Sequence, residues 1–156
     1  MTDPSTEAEL EDLSRLIDDW LDTQLEENEI VAAVDRDSAE RRWFVRVTGE
    51  EKDVFSIWFQ LGQRTLRYET YVMPAPEENH AEFYAHLLHR NQGFYGVAFS
   101  IGEEEAVFLA GQLGNTAIDT DELDRVLGTV YAHVEQCFRP ALRIGFASRF
   151  ARADRD

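Results

Sequence analysis

Glu82, His86 and His89 are spaced by four and three residues, so a helix through them sets one carboxylate and two imidazoles in a single stripe. That donor set can hold a divalent metal. The stripe falls opposite Phe83 and Leu87, however, and no fourth ligand can be identified, so three ordinary side chains on a solvated helix face are the simpler reading. The acids between Thr116 and Asp124 read as helix capping rather than ion binding. Asp35-Arg36-Asp37 lacks the glycine and the distant acid of a calcium loop. The single cysteine, Cys137, can form neither an internal disulfide nor a CxxC knuckle, and it falls on an apolar helical stripe as a small core residue. There is no GxGxxG, P-loop, GxSxG elbow or HExxH. The expectation is a protein with no catalytic residues, no metal site and no cofactor.

Side chains suited to contact are better represented. Phe44, Arg46, Trp58, Arg67 and Tyr71 fall on one parity of three alternating segments, the aromatic and arginine blend of protein contact surfaces. Two plainer readings stand beside that one. Trp58 could stack on Arg67 across a hairpin, or a helix of its own chain could cover it.

The elements that must carry these residues follow from periodicity. Leu10, Leu13, Ile17, Trp20, Leu21 and Leu25 recur at three and four between residues 7 and 26, an amphipathic helix with an acidic outer face. Ile30 to Val34 could be a minor strand, and residues 36–40 read as a loop. Period two then takes over in Trp43 to Thr48, and again from Phe55 to Leu61 after a polar turn at 49–53. A two-residue turn at Gly62-Gln63 would pair Phe59 with Leu66, Ile57 with Tyr68 and Trp58 with Arg67.

Pro74 and Pro76 end the third strand, and Pro76 suits the first position of a helix running to about Arg90, with Phe83, Tyr84, Leu87 and Leu88 as its apolar stripe. A second hairpin follows, with Tyr95, Val97, Phe99 and Ile101 alternating, a turn at 102–105, then Val107, Leu109 and Leu113. Asp119 caps a final helix over Leu123 to Phe138 that Pro140 is expected to stop. The order is helix, three strands, helix, two strands, helix. Residues 7–147 read as one domain, between a flexible N-terminal tail over 1–6 and a flexible C-terminal tail over 148–156.

Composition bounds the partners. The chain has 156 residues and a formal charge of −16, which argues against phosphate backbones and anionic membrane surfaces. Its first residues lack a signal peptide's basic start and apolar run, and no stretch is apolar enough to span a bilayer, so the cytoplasm is the expected compartment. The charge is uneven. Residues 1–40 hold fourteen acids against Arg15 and Arg36, whereas residues 41–73 hold six bases against four acids. Those bases could pair with the acidic first helix, or form a docking surface for an acidic segment of a partner.

Leu87-Leu-His-Arg-Asn91, Tyr95-Gly-Val-Ala-Phe99 with Val107-Phe-Leu-Ala-Gly111, and Glu122-Leu-Asp-Arg-Val-Leu-Gly128 followed by Pro140 and Gly145-Phe-Ala147 together carry a family resemblance. Over roughly residues 7–147 the chain resembles the actinobacterial branch of the YbjN family, small proteins built like the class I chaperones of type III secretion. The Gly102-Glu-Glu-Glu-Ala106 turn departs from the Asp-rich turn of relatives. The resemblance implies an α+β fold with an antiparallel sheet flanked by helices, frequent homodimers, and a role in binding other proteins or in regulation. None of its motifs is catalytic. The expected function is a non-catalytic module, chaperone-like or regulatory, that holds a protein partner through an aromatic and apolar surface. The alternative is a small-molecule- or metal-binding regulator.

Overall fold

The computed structural model describes residues 3–153. It opens with α1, Glu7–Glu27, started by a capping box in which the Thr6 hydroxyl accepts the Glu9 N–H and the Glu9 carboxylate accepts the Thr6 N–H, at 3.2 and 3.0 Å. Leu10, Ile17, Trp20 and Leu21 are its buried stripe. Four strands follow: β1 Val31–Asp37, β2 Arg42–Thr48, β3 Val54–Leu61 and β4 Thr65–Met73. Then come α2 His80–Asn91, β5 Ala98–Ile101, β6 Val107–Gly114, α3 Thr120–Gly145 and the short α4 Ala147–Ala153. The strands form one six-stranded antiparallel sheet in the order β1-β2-β3-β4-β6-β5.

The fold is the expected α+β arrangement, with one more full strand than the sequence suggested. The segment offered as a minor strand over 30–34 runs on to Asp37, into the first two residues of the expected loop, and pairs along β2 from Val31 opposite Val47 to Asp37 opposite Arg42. Its signal is weak because it is an edge strand whose far half is solvated; only Val31 is buried.

The β3–β4 hairpin turns at Gln63-Arg64, with the Gly62 N–H donating to the Thr65 carbonyl at 2.8 Å, one position later than expected. Phe59 therefore pairs with Tyr68, Ile57 with Thr70, and Trp58 with Glu69 instead of Arg67. Because the shift is two residues and side chains alternate with period two, every residue keeps its predicted face.

Two helix boundaries and one strand boundary also differ. α2 begins at His80 rather than Pro76 because residues 74–79 dock on the end of α3: the N–H groups of Glu77 and Glu78 both donate to the Gly145 carbonyl, and Asn79 turns into the left-handed region at φ 54°. Pro140 does not stop α3. Its missing N–H costs one rung of the helix, but the buried stripe continues through Cys137, Ala141 and Gly145 and holds the next turn against the core. β5 spans only Ala98–Ile101, leaving Tyr95 outside the sheet and 75% exposed.

Residues 5, 6 and 148–153, which the sequence placed in loose tails, are bonded to the body or helical. The Ser5 N–H donates to the Gln63 carbonyl, and Ser148 donates from its N–H and its hydroxyl to Glu78. Residues 1–2 and 154–156 of those tails lie outside the described residues.

The helices pack on one side of the sheet. Toward them point Trp43, Val45 and Val47 of β2, Phe55, Ile57, Phe59 and Leu61 of β3, Leu66, Tyr68 and Thr70 of β4, and Val107 and Leu109 of β6, all buried. Three ring donors on this side find acceptors: Trp43 Nε1 donates to Asp18 at 2.7 Å, Trp20 Nε1 to Asp124 at 2.7 Å, and the Tyr68 hydroxyl to the Gly96 carbonyl at 2.7 Å. Gly111, opposite Tyr68, makes that last bond possible. A Cβ there would lie 2.0 Å from the Gly96 oxygen and 2.7 Å from the Tyr68 ring.

Candidate functional site

On the opposite parity of the same strands lie Arg42, Phe44, Arg46 and Thr48, then Val54, Ser56, Trp58 and Gln60, then Arg67, Glu69 and Tyr71, then Phe108, Ala110 and Gln112. None of these residues is buried. All five residues predicted for partner contact, Phe44, Arg46, Trp58, Arg67 and Tyr71, stand on this uncovered face.

Register sets their arrangement. Phe44 is directly opposite Trp58, Trp58 is opposite Glu69 and therefore diagonal to Tyr71, and Tyr71 is opposite Phe108. The rings make a diagonal band across four adjacent strands. Tyr71 and Phe108 meet edge to face, centroids 5.7 Å apart at 84°. Phe44 is 40% and Tyr71 45% exposed. Trp58, with Phe44 opposite it on one flank and Glu69 on the other, is half-buried. Neither plainer reading applies to it: Arg67 stands opposite Gln60, and among the described residues no cation lies over the Trp58 ring. Phe108 was missed by sequence reasoning, although its alternation with Val107 and Leu109 carried the signal.

The charged side chains divide in two. Arg41 reaches Glu7 at 2.7 Å, and Arg36 reaches Asp18 and Asp22 at 3.2 and 3.6 Å, so these two do pair with the acidic first helix. Arg42, Arg46 and Arg67 make no ion pair among the described residues.

The β2–β3 loop closes one end of the face. The Glu135 carboxylate of α3 accepts the backbone N–H groups of Glu50, Glu51 and Lys52, at 2.5, 2.8 and 3.2 Å. A Cβ on Gly49 would lie 2.2 Å from that carboxylate. Lys52 then folds inward and donates to the carbonyls of Tyr71 and Val72 at 3.1 and 2.5 Å, its ammonium 5.1 Å from the Tyr71 ring and 5.3 Å from that of Phe138. Burial pushes the Lys52 amine down to about 8. The Tyr71 hydroxyl is held above its ordinary value by desolvation and then by the charge of Glu104.

The helical stripe does not assemble a metal centre. Among the described residues, no three His, Cys, Asp or Glu side chains converge as a metal site, Glu82, His86 and His89 included. Desolvation, then Arg90 and His89, lowers the His86 pKa.

A second apolar surface lies at the sheet's other edge. Only Phe83 and Leu87 of the α2 stripe are buried; Tyr84 and Leu88 line a groove of about 260 Å³ with Phe99, Ile101 and Val107. Leu88 is 66% and Ile101 52% exposed. The Asn91 side chain accepts the Phe99 N–H at 2.7 Å and donates to its carbonyl at 3.2 Å, filling the outer edge of β5 beside the groove.

Residues 18–143 match the sequence profile of the YbjN family, described as "Putative bacterial sensory transduction regulator". The uncharacterized protein Rv0487 of Mycobacterium tuberculosis is 37% identical over 108 residues, covering 69% of this chain and 59% of that protein. The uncharacterized protein ML2442 of Mycobacterium leprae is 34% identical over 107 residues, covering 69% and 58%. The match thus spans somewhat under three fifths of these relatives' length. In structure, a chain of the ExsC–ExsE complex superposes with a TM-score of 0.59 at 16% identity, covering 81% of this chain and 94% of that one. The Yersinia pestis type III secretion chaperone SycH, in complex with a stable fragment of YscM2, does so at 0.52 and 13%, covering 78% and 96%. At these identities the likeness is one of fold. No described helix is long and apolar enough to cross a membrane.

Proposed function

We propose that this chain, which belongs to the YbjN family, is a non-catalytic protein-binding module of the cytoplasm, chaperone-like or regulatory, that holds a protein partner on its uncovered sheet face. One observation carries the reading: four aromatic residues lie in a contiguous diagonal on a sheet face that no helix covers. Solvated sheet faces are ordinarily polar, and a band of rings amid arginines is the composition of interface centres. The two structures of similar fold are both complexes with a second named component, which supports a binding role. The charge of −16 would keep a loaded complex soluble.

A homodimer fits the same reading, with the groove of Leu88 and Ile101 as its contact surface. Leu88→Glu should then shift the mass measured by light scattering from two copies to one without loss of helical signal, whereas an unchanged mass would remove the groove from the dimer.

The partner role is tested by affinity capture from native lysate with wild type and Trp58→Asp side by side. One protein recovered near equal molar amounts by wild type alone is the expected result. Equal recovery by both would exclude the sheet face.

A further inference from the structure

We infer that the segment this face receives is an extended peptide in which acidic side chains alternate with apolar or aromatic ones; this rests on the binding role proposed above. The observation behind it is how the charges are disposed. In a chain of net charge −16, Arg36 of β1 and Arg41 just before β2 are taken by carboxylates of α1, yet Arg42, Arg46 and Arg67 on the open face have no ion-pair partner among the described residues. Cations left without carboxylates in so acidic a protein are a complementary surface for carboxylates from outside it.

Spacing gives the form of the ligand. Arg42, Phe44 and Arg46 are successive outward positions of β2, so guanidinium, ring and guanidinium follow one another at about 7 Å intervals. An extended chain laid along β2 repeats on one side at the same interval, and it meets this row with acid, apolar, acid. Trp58, directly opposite Phe44, widens the central apolar position into a two-ring platform. Arginine supplies planar, bidentate recognition of each carboxylate.

Arginine and aromatic rings on a sheet also suit single-stranded nucleic acid, whose bases stack on such rings. The acids on the same face favour the peptide. Asp35 stands opposite Phe44 and Glu69 opposite Trp58, where a continuous phosphate chain would meet them, while a peptide with spaced carboxylates avoids them.

The test is a phage-displayed random dodecapeptide library selected on wild type, Trp58→Asp and the Arg42→Glu/Arg46→Glu double variant, with circular dichroism confirming that each is folded. Wild type should enrich peptides with Asp or Glu at every fourth position and an apolar residue between. Those peptides should fail on Trp58→Asp and bind the double variant roughly tenfold or more weakly. The double variant should enrich Lys or Arg at the same positions. Trp58-dependent peptides without that acidic pattern, or with undiminished affinity for the double variant, would overturn the inference and leave the face as a binding site. Absence of any Trp58-dependent peptide would overturn both. A fluorescent oligothymidylate that binds wild type and displaces the selected peptides would also overturn the peptide assignment.

Discussion

Trp58 and Phe59 are consecutive residues of β3 that look in opposite directions. Phe59 is wholly buried, with the Trp20 ring edge-on at 6.0 Å and Tyr68 at 6.3 Å, inside a layer whose indole and phenol donors find acceptors. Trp58 has Phe44 and Glu69 beside it and no helix above it. The difference separates two reasons for a sheet to carry aromatic side chains. On the covered face burial accounts for every ring. On the open face the fold needs none of them, because an antiparallel sheet with one solvated side alternates apolar in and polar out. Phe44, Trp58, Tyr71 and Phe108 depart from that alternation, as a surface that meets a partner outside the chain would.

Phe59→Ala should break the covered side most severely, costing about 3–5 kcal/mol in urea unfolding through lost burial and the cavity left behind. Glu135→Gln probes the join between the two sides. With one carboxylate oxygen gone from three N–H donors, a loss of about 1–2 kcal/mol is expected, and amide exchange at Glu50, Glu51 and Lys52 should speed up before the rest of the sheet.

Lys52 gives the join a pH dependence. Its amine loses its proton near 8 when folded and near 10.5 when unfolded, so between those values the unfolded chain binds more protons and stability rises with pH. After discounting for the solvent-facing part of the side chain, wild type should gain roughly 0.5–1 kcal/mol between pH 7 and 9 relative to Lys52→Met, whose own curve lacks this rise. The smallest effect belongs to the open face: Phe44→Thr should change stability by no more than about 0.5 kcal/mol while weakening partner capture. A loss comparable to that of Phe59→Ala would erase the distinction between the two sides.

Period two made both faces legible from the sequence, and membership survived a turn misplaced by one position because the pairing then shifts by two residues. What depended on neighbours distant in sequence was not legible. A residue string does not show which side chains flank Trp58 from the neighbouring strands, or which arginines find carboxylates: Arg41 does, while adjacent Arg42 does not. β1 was under-read because an edge strand buries little, and Pro140 was over-read because a buried stripe can carry a helix past a missing donor. The groove beside β5 was hidden inside an apolar stripe that all looked like core, although Leu88 proves exposed.

The most direct test measures unfolding and binding on one protein, Trp58→Asp, with Phe59→Ala beside it as the covered-face reference. The Trp58→Asp domain should unfold cooperatively within about 1–2 kcal/mol of wild type and retain no partner. A loss as large as that of Phe59→Ala would make Trp58 part of the core, and a stable variant that still retains its partner would place the binding surface elsewhere.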